Sequence, residues 1–412
     1  KDPAQNILMD YQYTYDNTGS VLNKTTEHGV YTYEYDNRDR LIAANNPTMI
    51  DETFTYDDAG NRLSDADSSG WLYNDANQLT DYAGIILGYD TNGSQTTKLK
   101  NGDTTTYVYN IDNRLTEVKD NAGATIASYY YDPFGRRLWK EVSGVRNYFA
   151  YADEGIETEI DNFGTAIQSY AYTPQSLYGT EPLLTRANGV NAYFQNDHLG
   201  TPQQLIGTNG LKRWQGKMTA FGTMMAENDL TPNRLRFPGQ YYDAETGLHN
   251  NYYRDYDPSI GRFNKNDPIG ILGGINTYAY VENNPSYWSD PFGLRPRPYN
   301  NQGRGTSGNP RPIGRNHQGR KGTWYKGSFY PNMGEPVPRH SEPTRNSPIT
   351  PRPEHDPNII REQIQNLPWN NPREDKTGPP DRGLEKWKEM QWENLLEKQR
   401  IRFEMPAGVC PI

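Results

Sequence analysis

The chain alternates before it does anything else. Tyr11, Tyr13 and Tyr15, and then Tyr31, Tyr33 and Tyr35, occupy every second position, with polar residues such as Gln12, Thr14, Thr32 and Glu34 between them. A period of two puts three rings on one face of a strand and the polar residues on the other. Each run ends in Asp, Asn and Gly residues that supply a turn. It resumes at Arg40-Leu41, Arg62-Leu63, Arg114-Leu115 and Arg137-Leu138. The strand end recurs as Tyr15-Asp16, Tyr35-Asp36, Tyr56-Asp57, Tyr89-Asp90 and Tyr131-Asp132, with weaker copies at Tyr73-Asn74, Tyr109-Asn110 and Tyr151-Ala152. Successive tyrosines of this series lie 20, 21, 17, 16, 20, 22 and 20 residues apart. That spacing fits one β-hairpin per repeat. A hairpin cannot bury its face alone, so the copies must stack. The predicted fold class is all-β.

Composition narrows the picture. The 412 residues allow two or three domains. Hydrophobic residues make up 33%, and Tyr (32) far outnumbers Phe (11) and Trp (8), which argues against an α/β enzyme with a large buried parallel sheet. No apolar run is long enough to span a membrane. The first ten residues are polar, so no secretory leader is expected there, and a chain starting inside the repeat is expected to be a piece of something longer. The single Cys410 excludes an internal disulfide and a cysteine-based zinc site. The net charge of −9 hides an asymmetry: residues 1–294 carry −16 and residues 295–412 carry +7. Of the tyrosines, 29 precede residue 295, and 18 of the 30 prolines follow residue 294. These coincident shifts mark a boundary at Leu294–Arg295.

Upstream of that boundary the wording becomes denser. Asn196-Asp197-His198-Leu199-Gly200 is followed by Arg236-Phe237-Pro238-Gly239-Gln240-Tyr241-Tyr242-Asp243, then Tyr253-Arg254-Asp255-Tyr256-Asp257-Pro258, Asp267-Pro268-Ile269-Gly270, and finally Asp290-Pro291-Phe292-Gly293-Leu294. Together with the Tyr-Asp units, these motifs resemble the Rhs/YD-repeat polymorphic toxins and the C component of insecticidal toxin complexes. The resemblance covers about residues 10–294. It implies a spiral of hairpins forming part of a hollow β-shell around a C-terminal cargo, and three parts: repeat shell over 1–180, Rhs core over 181–294, and a variable toxin or effector region over 295–412. It further implies that the core is an intramolecular aspartic protease cutting after the Leu of Asp-Pro-x-Gly-Leu. Carried over by motif, Asp267 and Asp290 are the two aspartates, Arg254 is the accompanying arginine, and the cut falls between Leu294 and Arg295.

These residue types suit that chemistry. Two close carboxylates cannot both ionise, so one keeps a proton. The charged one activates water while the protonated one donates to the scissile carbonyl. An arginine orients a carboxylate, and an intramolecular site needs no separate substrate binding. The bland alternative is that Asp267 and Asp290, each before a proline, merely form turns. Arg262 is the alternative arginine. The polar run Asn264-Lys265-Asn266 before Asp267 departs from the usual pattern, and Lys265 is expected to shift the aspartate's pKa. His198 and His249 are expected to pack or hydrogen-bond rather than catalyse.

The region after the boundary does not repeat. Residues 295–323 read as a flexible lead, 322–330 as one short strand, and 384–404 as a helix with Asp381 as N-cap and Pro406 as its stop. The whole is expected to be partly disordered or α+β. Residues 295–355 carry a net +8 and hold His317, His340 and His355. A basic stretch with aromatics suits a polyanion such as nucleic acid. His317 with Arg320 and Lys321, His340 with Glu342, or His355 with Asp356 are the acid–base candidates, none at a diagnostic spacing. No cofactor and no metal site is expected. The same charge also suits a cargo held by an acidic shell without any nucleic acid. A nuclease, another nucleic-acid-directed toxin and an NAD-dependent transferase stay open for this region. The resemblance implies secretion or delivery from a bacterium into a target cell. Its implied partners are the chain's own cargo, a cognate immunity protein and secretion-system or toxin-complex components. The reading from a different class is a cell-surface adhesion or carbohydrate-binding array without enzymatic activity, which would have no need of Asp-Pro-Phe-Gly-Leu before a break in composition.

Overall fold

The computed structural model describes residues 8–298 and, beyond them, the strands Gly314–Arg315, Lys321–Tyr325 and Ser328–Pro331. The described residues fall into two units, 8–298 in one and the strands Gly314–Arg315, Lys321–Tyr325 and Ser328–Pro331 in the other.

The described part of the first unit is all-β, as the alternation predicts. Five strands from Gln12–Tyr15 to Glu52–Thr53 pair in chain order. Thr55–Tyr56 and Arg62–Ser64 form a two-stranded ribbon. Sixteen strands from Leu72–Tyr73 to Met224–Asp229 then make one continuous antiparallel meander, each strand beside its sequence neighbours. This sheet runs across residue 180 without a break, where Ala166–Tyr172 pairs with Pro182–Ala187. Four short strands, Tyr241–Asp243, Leu248–Asn251, Arg254–Asp257 and Arg262–Phe263, form a separate antiparallel sheet.

The Tyr-Asp unit has a specific geometry. At Asp132 the backbone N–H donates to the Arg136 carbonyl at 2.8 Å, and the Gly135 N–H returns to the Asp132 carbonyl at 2.9 Å. The Asp132 carboxylate accepts the N–H groups of Phe134 and Arg136, both at 2.9 Å. Gly135 has φ of +81°, so the loop is a tight turn closed by a left-handed residue, with a bulge registered between Tyr130 and Tyr131. The same pattern recurs at Asp16, Asp36 and Asp90.

The preference for Tyr over Phe has a concrete cause. The hydroxyls of Tyr35, Tyr56, Tyr73, Tyr109, Tyr131 and Tyr151 donate to the backbone carbonyls of Val21, Leu41, Arg62, Gln95, Leu115 and Arg137 at 2.6–3.0 Å. Each acceptor lies six residues after the preceding tyrosine of the series. Each of these six tyrosines therefore satisfies a carbonyl just past the previous repeat's turn. Phe would bury the ring and leave that acceptor bare.

The second unit contains an antiparallel sheet in the order Gly314–Arg315, Lys321–Tyr325, Ser328–Pro331. The single strand expected over 322–330 is thus two paired strands. Lys326-Gly327 separates them in sequence, and a glycine between two short apolar runs is a hairpin signal that outweighed the continuous aromatic run. The helix expected over 384–404 and its cap Asp381 lie outside the described residues.

Candidate active site

The four-stranded sheet carries Arg254, and buried ion pairs fix that sheet to the meander. Arg137 Nη1 donates to both Asp243 carboxylate oxygens at 2.7 Å, and Lys140 Nζ reaches Asp243 and Glu245, each at 3.1 Å. Removing one member of such a buried network leaves an uncompensated charge, typically at a cost of about 3–5 kcal/mol. The turn Asp290–Leu294 is held against the same sheet. Asn251 Nδ2 donates to the Asp290 carbonyl at 2.7 Å, and the Tyr253 N–H to the Phe292 carbonyl at 3.1 Å. Gly293, at φ +65°, lies so close that a Cβ would stand 2.5 Å from the Asn251 carbonyl oxygen. Ser289 and Arg297 pair across the turn, so the segment around Leu294–Arg295 is clamped from both sides.

Three of the predicted residues meet here. Arg254 Nη2 lies 2.9 Å from Asp267 Oδ2 and 3.3 Å from Asp290 Oδ2. Its other nitrogens donate to the Gly293 carbonyl at 2.6 Å and the Thr277 carbonyl at 2.9 Å, and its guanidinium stacks 3.5 Å from the Phe263 ring centroid. All three side chains are buried. Asp290 Oδ1 accepts the N–H groups of Leu294 at 2.9 Å and Arg295 at 3.1 Å. One aspartate therefore sits on the amide nitrogen of the peptide bond that the sequence singles out. The other lies by its carbonyl: a Cβ at Gly273 would overlap Asp267 Oδ2 and stand 2.5 Å from the Leu294 carbonyl oxygen. Burial raises the Asp267 pKa from 3.8 to about 6, against the pull of Arg254 and a hydrogen bond from the Ile269 N–H. Asp267 also lines a surface depression with Asn92, Asn113, Asn266, Ile271 and Thr277.

The other sequence expectations sort cleanly. Arg262 is elsewhere: it donates to Asn61 and Asn77 and lies over the Tyr73 ring, tying the core to the repeat loops. Burial and Arg254, rather than Lys265, lead the shift at Asp267. Lys265 Nζ donates to the Asn113 carbonyl, and the charges around it are Asp255, Arg114 and Arg254. Its backbone bridges Ser94 in the repeat loop at 90–95. His198 bonds the Ser286 carbonyl at 2.8 Å and packs on Tyr13. His249 bonds Gln240 at 2.8 Å, and burial holds its pKa well below the usual value. His317, Arg320, His340, Glu342, His355 and Asp356 lie outside the described residues, and Lys321 is placed only as the first residue of its strand. Gly273 and Asn251 were missed in the sequence. The pair Gly273-Gly274 signals a break in the chain, but nothing local says which atoms come close.

Comparison with known proteins adds a family. The Teneurin YD-shell family matches residues 5–285. Double-stranded DNA deaminase toxin A of Burkholderia cenocepacia is 33% identical over 318 residues, covering 68% of this chain and 22% of that protein. Toxin protein Tse5 of Pseudomonas aeruginosa is 28% identical over 359 residues, covering 69% of this chain and 27% of that protein. This chain thus spans about a quarter of the length of these curated relatives. The crystal structure of TcdB2-TccC3-TEV shares the fold, with a TM-score of 0.57 at 21% identity over 71% of this chain and 17% of that one.

Proposed function

The chain belongs to the YD-shell family and is of the Rhs/YD-repeat toxin kind, and from that premise we propose that it cuts its own backbone between Leu294 and Arg295 and so frees the segment after the cut as an effector. The observation that carries this is the position of Asp290 Oδ1 on the Arg295 amide while Arg254 bonds both carboxylates.

The chemistry balances with these groups. Asp290, ionised, takes a proton from water, and the resulting hydroxide attacks the Leu294 carbonyl carbon. Asp267, protonated, gives its proton to the Leu294 carbonyl oxygen, forming a diol. Asp290 then passes its proton to the Arg295 nitrogen beside it, the C–N bond breaks, and Asp267 recovers a proton from the diol. The products are a carboxyl at Leu294 and an amine at Arg295. Arg254 orients both carboxylates and stabilises the ionised one, and the clamped turn supplies the proximity.

The segment from Arg295 is read as a nucleic-acid-directed effector. Its first stretch is strongly basic, and one relative is by name a double-stranded DNA deaminase toxin. Delivery into a target cell, an immunity partner and toxin-complex components belong to the same reading, and one relative is by name a toxin protein. N-terminal sequencing of the smaller species in a preparation of the full chain tests the cut. The reading predicts Arg-Pro-Arg-Pro, starting at Arg295, and no such species from Asp267→Asn or Asp290→Asn. A different first residue, or cutting that survives both substitutions, would overturn it.

A further inference from the structure

The three residues before Asp267 are each held by loops of the repeat array. The Gln95 N–H donates to the Asn264 carbonyl at 2.9 Å, Ser94 bridges Lys265, and Lys265 Nζ donates to the Asn113 carbonyl. The Asn266 N–H donates to the Gly93 carbonyl at 3.3 Å, and its Nδ2 to the Asn92 carbonyl at 3.1 Å. Thr277, whose carbonyl takes the Asp267 N–H at 3.1 Å and an Arg254 N–H at 2.9 Å, also donates its hydroxyl to Asn266 Oδ1 at 2.7 Å. Tyr278 closes the set by donating to the Gly93 carbonyl at 2.8 Å. Residues 264–266 thus form an extra pairing on the turn that follows Tyr89-Asp90, and this pairing ends one residue before the carboxylate. It also accounts for the polar run there: an apolar residue at 266 could make neither side-chain bond.

We infer that the repeat loops at 90–95 and 110–113 position Asp267 through Asn264, Lys265 and Asn266, so that self-cleavage waits until these two repeats have stacked against the core. The inference rests on the protease reading above and adds an order of events to it. A chain whose repeats are unformed has Asp267 out of register with Arg254 and the Leu294 carbonyl, and stays uncut. Asn266 is a positioning residue here: its side chain bonds the Asn92 carbonyl and the Thr277 hydroxyl, not the scissile bond.

Two glycines of the repeat make the test specific. Gly93 and Gly123 close the same kind of turn, at φ +79° and +80°. Alanine at either carries similar backbone strain. A Cβ at Gly93 would overlap Asn266 Nδ2 and the Tyr278 hydroxyl, whereas a Cβ at Gly123 meets nothing within 4 Å. The measurement is the first-order rate of cutting after a labelling pulse during cell-free synthesis of the full chain. Melting of the same variants in an uncut Asp290→Asn background sets a temperature at which all of them are folded, so that a slower cut there is not a loss of folded protein. Gly93→Ala and Asn266→Ala should slow cutting roughly tenfold or more, the scale expected of a small misplacement. Gly123→Ala should keep the parental rate. The double variant Gly93→Ala/Asn266→Ala should be no slower than the slower single one, because both act through one link. The charges facing Asp267 are Arg254 on its strand and Asp290 and Arg295 on the terminal turn. Slipping from Arg254 removes an interaction that favours the ionised form, so the alkaline limb of the cutting rate should move upward in Asn266→Ala. Parental cutting by Gly93→Ala, or equal slowing by both glycine variants, would overturn the inference while leaving the protease standing. An uncut parent would remove both.

Discussion

Asp267 and the repeat tyrosines show how single side chains carry the account. In the proposed cutting step Asp267 donates, so it must be protonated. Burial raises its pKa from 3.8 to about 6, so the competent form dominates below pH 6 and is lost above it. The cutting rate should therefore fall as pH rises through about 6, measured as first-order rates in a buffer series; a flat profile from pH 5 to 8 would contradict the assignment. The sign for stability follows the same shift. The folded carboxyl holds its proton more tightly than the unfolded one, so this group's contribution declines as pH climbs from 3.8 toward 6. Tyr131→Phe removes the hydroxyl that satisfies the Leu115 carbonyl and should cost about 1–3 kcal/mol. Tyr15→Phe, at a ring 52% exposed, should be close to neutral. Urea midpoints of the two variants decide it. The Tyr-Asp spacing was readable from the sequence because it is local and repeated. The partner of each hydroxyl was not, because it lies in the previous repeat.

The turns and the terminal clamp behave as units. At Asp16, Asp36, Asp90 and Asp132 the carboxylate accepts two backbone N–H groups of its own loop. Asp132→Ala loses both of these, and the pairing with Arg136 as well, and should lower stability by about 1–3 kcal/mol in a denaturant series. Gly293→Ala is a sharper probe of the site. It forces a side chain toward the Asn251 carbonyl at a positive φ, and should stop cutting while the far-ultraviolet circular dichroism stays β-like. Unimpaired cutting would show that the clamp does not hold the bond. Motifs announced Arg254, Asp267 and Asp290, but not what Lys265 bonds or why Asn266 is polar. Those answers come from pairings between residues some 170 positions apart, for which one sequence has no local signal.

The molecule as a whole joins an acidic repeat array to a basic tail, with the clamped Leu294–Arg295 bond where the two compositions meet. The nucleic-acid reading of the tail makes a prediction of its own. The released fragment should bind an immobilised polyanion and elute at a salt concentration that falls when arginines of 295–355 are replaced; passage without retention would contradict it. The central claim is the cut itself, and the intact mass of the purified chain under denaturing conditions tests it most directly. The account predicts two species ending at Leu294 and starting at Arg295 from the parent, and one uncut chain of 412 residues from Asp290→Asn. A single uncut species from the parent would contradict it.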